Sequence, residues 1–248
     1  MVYLPTINDW LEQSQYRPRK ASKNAFHPSG ISHPCKRNIY YQFFKIPRKP
    51  FTSKTLRILD AGNDMHDRYD RYAEKAGILL VSNMKIKDRK LQLSGKPDQI
   101  VLIDGKLRLI ELKSMKKDKF DGLFGNPFPH HYEQLQMYFW MLNNLWKTGS
   151  KRKLFKQYGH LFPLTEGSII IECKDDQRQE EFNIPYDEVT ALKLIEKAKE
   201  VAQLVKENKL PSRDFNQTSQ ECRYCDYNDV CWGVSALKAL STLGEKDE

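Results

Sequence analysis

Leu93–Ser114, LSGKPDQIVLIDGKLRLIELKS, decides the fold of this 248-residue chain. Two extended arms rich in apolar and β-branched residues flank Asp104-Gly105. An Asp-Gly pair between such runs predicts a β-hairpin. Side chains alternate across a strand, so Glu111 and Lys113 share one face and Leu112 takes the other. The first arm carries Gly95-Lys96-Pro97-Asp98, and pairing of the arms lets two acids and a lysine converge on one point. Two hard oxygen ligands that leave positions open for water and phosphate suit Mg²⁺ or Mn²⁺. A lysine beside them can orient or deprotonate an attacking water and offset charge building on phosphorus. The competing reading is an ordinary hairpin with a surface ion pair.

The spacing of Pro97-Asp98 and Glu111-x-Lys113 across a hairpin resembles the PD-(D/E)XK nuclease motif. Composition bounds what else is possible. Apolar residues make up 40% of the chain, in the range of a soluble domain. At this length one domain with a substantial core is expected. No apolar run approaches the roughly 20 residues a membrane span needs, so no membrane association is expected. MVYLPTINDW has neither the charged n-region nor the apolar h-region of a secretion signal. A cytoplasmic location is therefore expected, where free thiols persist and can hold metal. The net charge is +9, and residues 1–50 carry nine Lys/Arg against two acids. A basic sector of this kind implies a polyanionic partner, most often nucleic acid, although a charged soluble surface gives the same count. There is no GxxxxGK[ST] phosphate loop and hence no sign of an ATP-driven motor.

Working outward from the hairpin, residues 5–15 predict a short helix capped by Thr6 or Asn8, with Ile7, Trp10 and Leu11 apolar. Basic residues 17–30, with Pro18, Pro28 and Gly30, predict a loop. A helix carrying Phe43 and Phe44 follows Cys35. A long helix capped by Thr52 or Ser53 and closed by Gly77 is expected to place Leu56, Leu59, Met65, Tyr69 and Tyr72 on its apolar positions. Gly62 and His66 share a face of it. A mid-helix glycine costs about 1 kcal/mol, which implies a close approach, and His66 beside an acid pair becomes a candidate metal ligand. Residues 78–87 predict one strand. Residues 116–129 predict a basic, Gly- and Pro-rich mobile loop near the site. A strong helix over 130–146 puts Gln134 and Tyr138 on one face. KRKLFK at 151–156 predicts a basic connector, 168–173 and 180–185 a strand pair with Cys173 buried and inert, and 187–208 an amphipathic helix ended by Pro211. The tail Glu245–Glu248 is expected to fray.

Cys222-x-x-Cys225 with Cys231 is a tight thiolate cluster that predicts a metal site. With Cys173 set aside, Cys35 is the natural fourth ligand. Zinc and iron–sulfur both accept four thiolates, and spacing alone does not separate them. In order along the chain stand Cys35-x-Arg37 with a tyrosine pair, a Gly/His helix, the GxPD strand, the ELK strand, a QxxxY helix and three C-terminal cysteines. This arrangement, spanning Cys35 to Cys231, resembles the RecB-type iron–sulfur exonucleases, which include CRISPR-associated cluster-bearing nucleases and the AddB-type nuclease domain.

The resemblance implies an α/β, restriction-endonuclease-like fold, with a central mixed sheet flanked by helices and a helical iron–sulfur cap formed by both termini. Residues 1–248 would be a single nuclease domain, with 1–50 and 211–235 as cap and 51–210 as nuclease core. His66, Asp98, Glu111 and the Leu112 carbonyl would bind Mg²⁺ or Mn²⁺. Asp98, Glu111 and Lys113 would be catalytic, with Lys113 activating water. Gln134, Tyr138 and Arg37 would contact DNA. Cys35, Cys222, Cys225 and Cys231 would hold a [4Fe–4S] cluster tying the chain ends together. The function implied is a metal-dependent DNA exonuclease acting on single-stranded or frayed ends, with protein partners in recombination, phage replication or CRISPR adaptation. The alternatives are a non-catalytic DNA-end-binding subunit of a recombination or CRISPR adaptation complex, and a zinc-bound structural protein.

Overall fold

The computed structural model describes residues 3–15 and 24–233. In chain order the elements are α1 (Tyr3–Ser14), α2 (Pro28–Ile31), α3 (Lys36–Phe43), α4 (Ser53–Lys75), β1 (Leu79–Ser82), β2 (Ile86–Asp88), β3 (Leu93–Gly95), β4 (Gln99–Ile103), β5 (Lys106–Met115), α5 (Lys117–Phe120), α6 (Pro129–Lys147), α7 (Lys153–Tyr158), β6 (Glu166–Cys173), β7 (Gln179–Pro185), α8 (Glu188–Lys206), α9 (Gln220–Arg223) and α10 (Asn228–Trp232). The central sheet runs β1-β4-β5-β6-β7, while β2 and β3 form a separate antiparallel pair. Within the sheet only β5 and β6 are parallel, and the other neighbours are antiparallel. A parallel pair needs a crossover, which α5, α6 and α7 supply.

The expected hairpin is β4–β5. Its turn places Asp104 at φ 49° and Gly105 at φ 75°, a left-handed pair that matches the twist of the two strands. Alternation along β5 then divides the molecule into layers. Ile110 and Leu112 face α4, where they pack with Met65 and Val101. Leu107 and Leu109 face the larger core with Leu135, Phe139 and Ile171. The α4 layer is tied to β6 by Arg68, which donates to the buried carboxylate of Glu172, while the Tyr69 hydroxyl donates to its second oxygen at 3.2 Å. At Gly167 any Cβ would lie 2.2 Å from the Leu109 carbonyl oxygen, so close β5–β6 pairing requires glycine there.

Local signals placed several boundaries well. The Thr52 side chain accepts from the Thr55 amide, Gly77 (φ 72°) follows α4, and Asp187 caps α8. Other expectations need correction. Residues 78–87 are not one strand: Asn83, at φ 52°, turns the chain, so β1 joins the large sheet and β2 the small one. Helix α1 begins at Tyr3, leaving Thr6 and Asn8 inside it, and it buries none of its residues. Within the expected loop 17–30, Pro28–Ile31 is helical. The stretch 116–129 holds α5, with Phe120 and Leu123 in the core, and 151–156 begins α7, which buries Leu154 and Phe155. Helix α8 ends at Lys206, before Pro211, where Asn208 takes φ 50°. Leu59 and Tyr72 on α4, and Val189 and Leu192 on α8, are exposed. The basic residues at 16–23 and the tail 245–248 lie outside the described residues. Among the described residues no helix is long and apolar enough to cross a membrane.

Candidate active site

The site forms where β4 begins. Asp98 is the residue before Gln99, and Gln99 pairs with Ile110 across the hairpin. Pro97 lies in the break between β3 and β4. One oxygen of Asp98 accepts the Leu112 amide at 2.8 Å, and the other lies 3.3 Å from His66 Nδ1 on α4. The hydrogen bond to Asp98 raises the His66 pKa against the effect of burial. From β5, Glu111 points to the α6 side with 1% of its side chain exposed. Its Oε1 accepts from Lys113 Nζ at 2.5 Å and from Gln134 Nε2 at 2.6 Å. Its Oε2 is buried with no hydrogen-bond partner among the described residues.

Burial pushes the Glu111 carboxyl well above the usual carboxylate range, and the nearby Asp98 charge adds to this, against the lowering effect of Lys113. Burial alone would lower the Lys113 pKa, but the charges of Glu111 and Asp98 outweigh it and hold the amine above its ordinary value. The two partners therefore pull in opposite senses, since an ionised Glu111 sustains the ammonium while burial opposes that ionisation. Glu111 is thus a carboxyl reluctant to ionise, and Lys113 an amine that stays charged whenever it does.

His66, Asp98, Glu111 and Lys113 thus come together as the motif requires. Leu112, fully buried, contributes its amide to Asp98. Among the described residues no three His, Cys, Asp or Glu side chains already stand as a metal-ligating group. Hydrogen bonds instead engage three of the four carboxylate oxygens of Asp98 and Glu111, leaving Glu111 Oε2. An orphaned, buried carboxylate oxygen beside a second acid and an imidazole fits a hard divalent cation, because a bare oxygen buried in protein is otherwise costly.

Gln134 and Tyr138, expected as DNA contacts, are both buried. Gln134 holds Glu111, and Tyr138 is hydrogen-bonded to the Lys96 backbone and the Gln134 side chain. Gly95 was overlooked as a site residue. A Cβ there would come within 2.7 Å of Tyr138 Cε1 and 3.1 Å of Pro28, so its absence lets Tyr138 reach the acids. The motif's own glycine, two residues before Pro97, was the available signal. Among the described residues the close approach expected at Gly62 is not found, since a Cβ would meet only Ser114 Oγ at an ordinary 3.7 Å.

The four expected cysteines line one recess, with Tyr41 and Trp232. Asn38 Nδ2 and the Tyr227 amide both point to Cys225 Sγ at 3.4 Å, and Arg37 approaches Cys231 Sγ at 3.7 Å. Burial raises the Cys35 thiol pKa, while the Asn38 and Arg37 amides work to lower it. Converging N–H donors and a guanidinium fit sulfur ligands that carry negative charge. Arg37 Nε also donates to the Pro211 carbonyl at 2.8 Å. Its guanidinium is therefore engaged with Pro211 and Cys231 beside the cysteine recess. Cys173 is fully buried in β6, as expected.

The model of the PD-(D/E)XK nuclease superfamily matches residues 28–232. The CRISPR-associated exonuclease Cas4 of Saccharolobus solfataricus is 29% identical over 141 residues, which cover 56% of this chain and 52% of that protein. The match therefore spans about half the length of the curated relative. Among solved structures, SSO0001 superposes with a TM-score of 0.52 at 20% identity, covering 91% of this chain and 96% of the other. The alkaline exonuclease LHK-Exo from Laribacter hongkongensis gives a TM-score of 0.49 at 13% identity, covering 80% and 93%.

Proposed function

Since this chain belongs to the PD-(D/E)XK nuclease superfamily, we propose that it is a metal-dependent DNA exonuclease acting on single-stranded or frayed ends. One observation carries the proposal: the unpartnered, buried Oε2 of Glu111 set among Asp98, His66 and Lys113. Asp98, Glu111, His66 and the Leu112 carbonyl would hold Mg²⁺ or Mn²⁺, which when bound polarises the scissile phosphate and acidifies a water.

The chain's own residues do the rest. Gln134 fixes the Glu111 carboxylate, and the Leu112 amide fixes that of Asp98. Lys113 is an ammonium beside an ionised Glu111. It can orient the attacking water and offset charge on phosphorus, and were the acids' charge neutralised its pKa would fall, leaving more of it as the neutral amine that can take a proton from water. Tyr138 backs Gln134 and is a positioning residue rather than a direct DNA contact. Cys35, Cys222, Cys225 and Cys231 would hold a [4Fe–4S] cluster with a structural role. Similarity to a CRISPR-associated exonuclease supports a CRISPR setting as one context for its partners.

The test is digestion of end-labelled linear and circular single strands with and without Mg²⁺ or Mn²⁺, by wild type, Asp98→Ala and Lys113→Ala. Loss of general acid–base assistance is worth about 10²–10⁴-fold in rate, so Lys113→Ala should fall at least that far and Asp98→Ala further. Undiminished cleavage by both variants would remove the assigned site. Cutting of circles would replace the exonuclease reading with an endonuclease. Visible absorption of anaerobically purified protein separates an iron–sulfur cap from a colourless zinc one.

A further inference from the structure

The connection from β5 to α6 carries an unusual side chain. Leu123, Phe124, Gly125 and Asn126 form a tight turn closed by the Asn126 amide on the Leu123 carbonyl at 3.0 Å. Both central residues have positive φ, 45° at Phe124 and 78° at Gly125. That turn class is dominated by Gly, Asn and Asp, because L side chains crowd the backbone there. The same molecule makes a turn with the same signs of φ at Asp104-Gly105, with a favoured residue. A phenylalanine at the first central position is therefore a local cost, and it is not recovered by packing, since Phe124 is 89% exposed.

The turn is nonetheless well anchored. Phe120 and Leu123 are buried on one side of it, the Lys117 amide donates to Asp175 at 2.7 Å, and Arg178 pairs with Asp121 at 2.8 Å. Phe124 thus projects an exposed ring from an anchored turn. It stands on the connection whose two ends carry Lys113 and Gln134, and exposed Lys116 and Lys119 lie on the same connection. On its far side Phe128 stacks on His130, with centroids 5.9 Å apart and planes at 16°, and His130 and His131 both feel the charge of Lys113.

We propose that Phe124 is a base-stacking post: an unpaired base of the strand entering the site stacks on its ring while neighbouring lysines hold the phosphates. This rests on the nuclease reading and narrows its substrate to strands with unstacked bases. Every base offers a π-face, so stacking is tolerant of sequence, whereas duplex bases are already stacked on each other. An isolated exposed apolar residue needs no explanation, but one that also occupies a disfavoured backbone position on the connection between the strand of Lys113 and the helix of Gln134 does.

The experiment uses the full chain without divalent metal, so that binding is read apart from cleavage. Probes are a single-stranded oligonucleotide with one 2-aminopurine and the same strand with an abasic site there. Phe124→Ala should bind the base-containing strand about 5- to 100-fold more weakly, the range of one lost base–aromatic stack. It should bind the abasic strand as wild type does, and the quenching of 2-aminopurine should disappear. Phe124→Trp should restore both. Phe124→Asn should melt higher than wild type, because asparagine suits the turn, and yet bind as weakly as the alanine variant. Base-strand binding unchanged in Phe124→Ala would overturn the inference, as would equal weakening on both strands. If wild type binds neither strand, the nuclease reading itself fails. If wild type binds and cuts while Phe124 variants match it, only the stacking post fails.

Discussion

At Glu111 a side chain that water normally ionises with ease is 1% exposed, and one of its oxygens has no partner. Its pKa is pushed up to about 7, first by burial and then by Asp98. A folded-state pKa above the unfolded value means the native state holds the proton longer. The associated stability is complete below about pH 4.5 and is lost as pH rises through about 7. His66, raised by its hydrogen bond to Asp98, also has a proton to lose on binding a cation. Divalent metal competes with both protons, so its affinity should rise with pH through about 7 and then level. Thermal melts from pH 5 to 8.5, with and without Mn²⁺, check this. The metal-induced gain in Tm should grow with pH in wild type and be absent in Glu111→Gln; a gain independent of pH would place the metal elsewhere.

At the scale of elements, two glycines that look alike in sequence behave oppositely. Gly95→Ala drives a Cβ into Tyr138 and Pro28. Overpacking of this kind costs about 1–3 kcal/mol, and because Tyr138 backs Gln134, activity should fall with stability. Gly62→Ala meets only ordinary contact inside α4 and should stabilise the helix by up to about 1 kcal/mol. Denaturant melts of the two variants give the comparison. A Gly62→Ala protein that gains stability and loses cleavage would show that the missing side chain makes room for substrate.

For the whole molecule, the recess lined by Cys35 and the three later cysteines joins segments from opposite ends of the chain. Below it, α3 packs through Tyr40 and Tyr41 into the main core, where Tyr41 meets Tyr227 with centroids 5.4 Å apart. A group holding four thiolates there would close the long loop from Cys35 to Cys231, which constrains the unfolded state strongly. Cys35→Ser and Cys225→Ser are each expected to bleach the protein, lower Tm and expose the 211–233 segment to protease. Cys173→Ser should leave the spectrum intact, since that thiol is sealed in β6. Unchanged colour and protease resistance in the first two would remove the cap assignment.

What the sequence determined by itself was everything that depends on neighbours along the chain. Alternation put Glu111 and Lys113 on one face, Asp104-Gly105 set the hairpin, Thr52 and Asp187 capped their helices, and the order of motifs named the superfamily. The breaks at Asn83 and within 116–129 were missed because a left-handed asparagine or a single helical turn leaves little periodic signal. Tertiary structure alone decided that Gln134 turns inward to Glu111, that Arg37 serves the cysteine recess, and that Glu111 is left with a bare oxygen. Those outcomes follow from desolvation and from the reach of groups brought together across different elements, and neither quantity is written in local spacing.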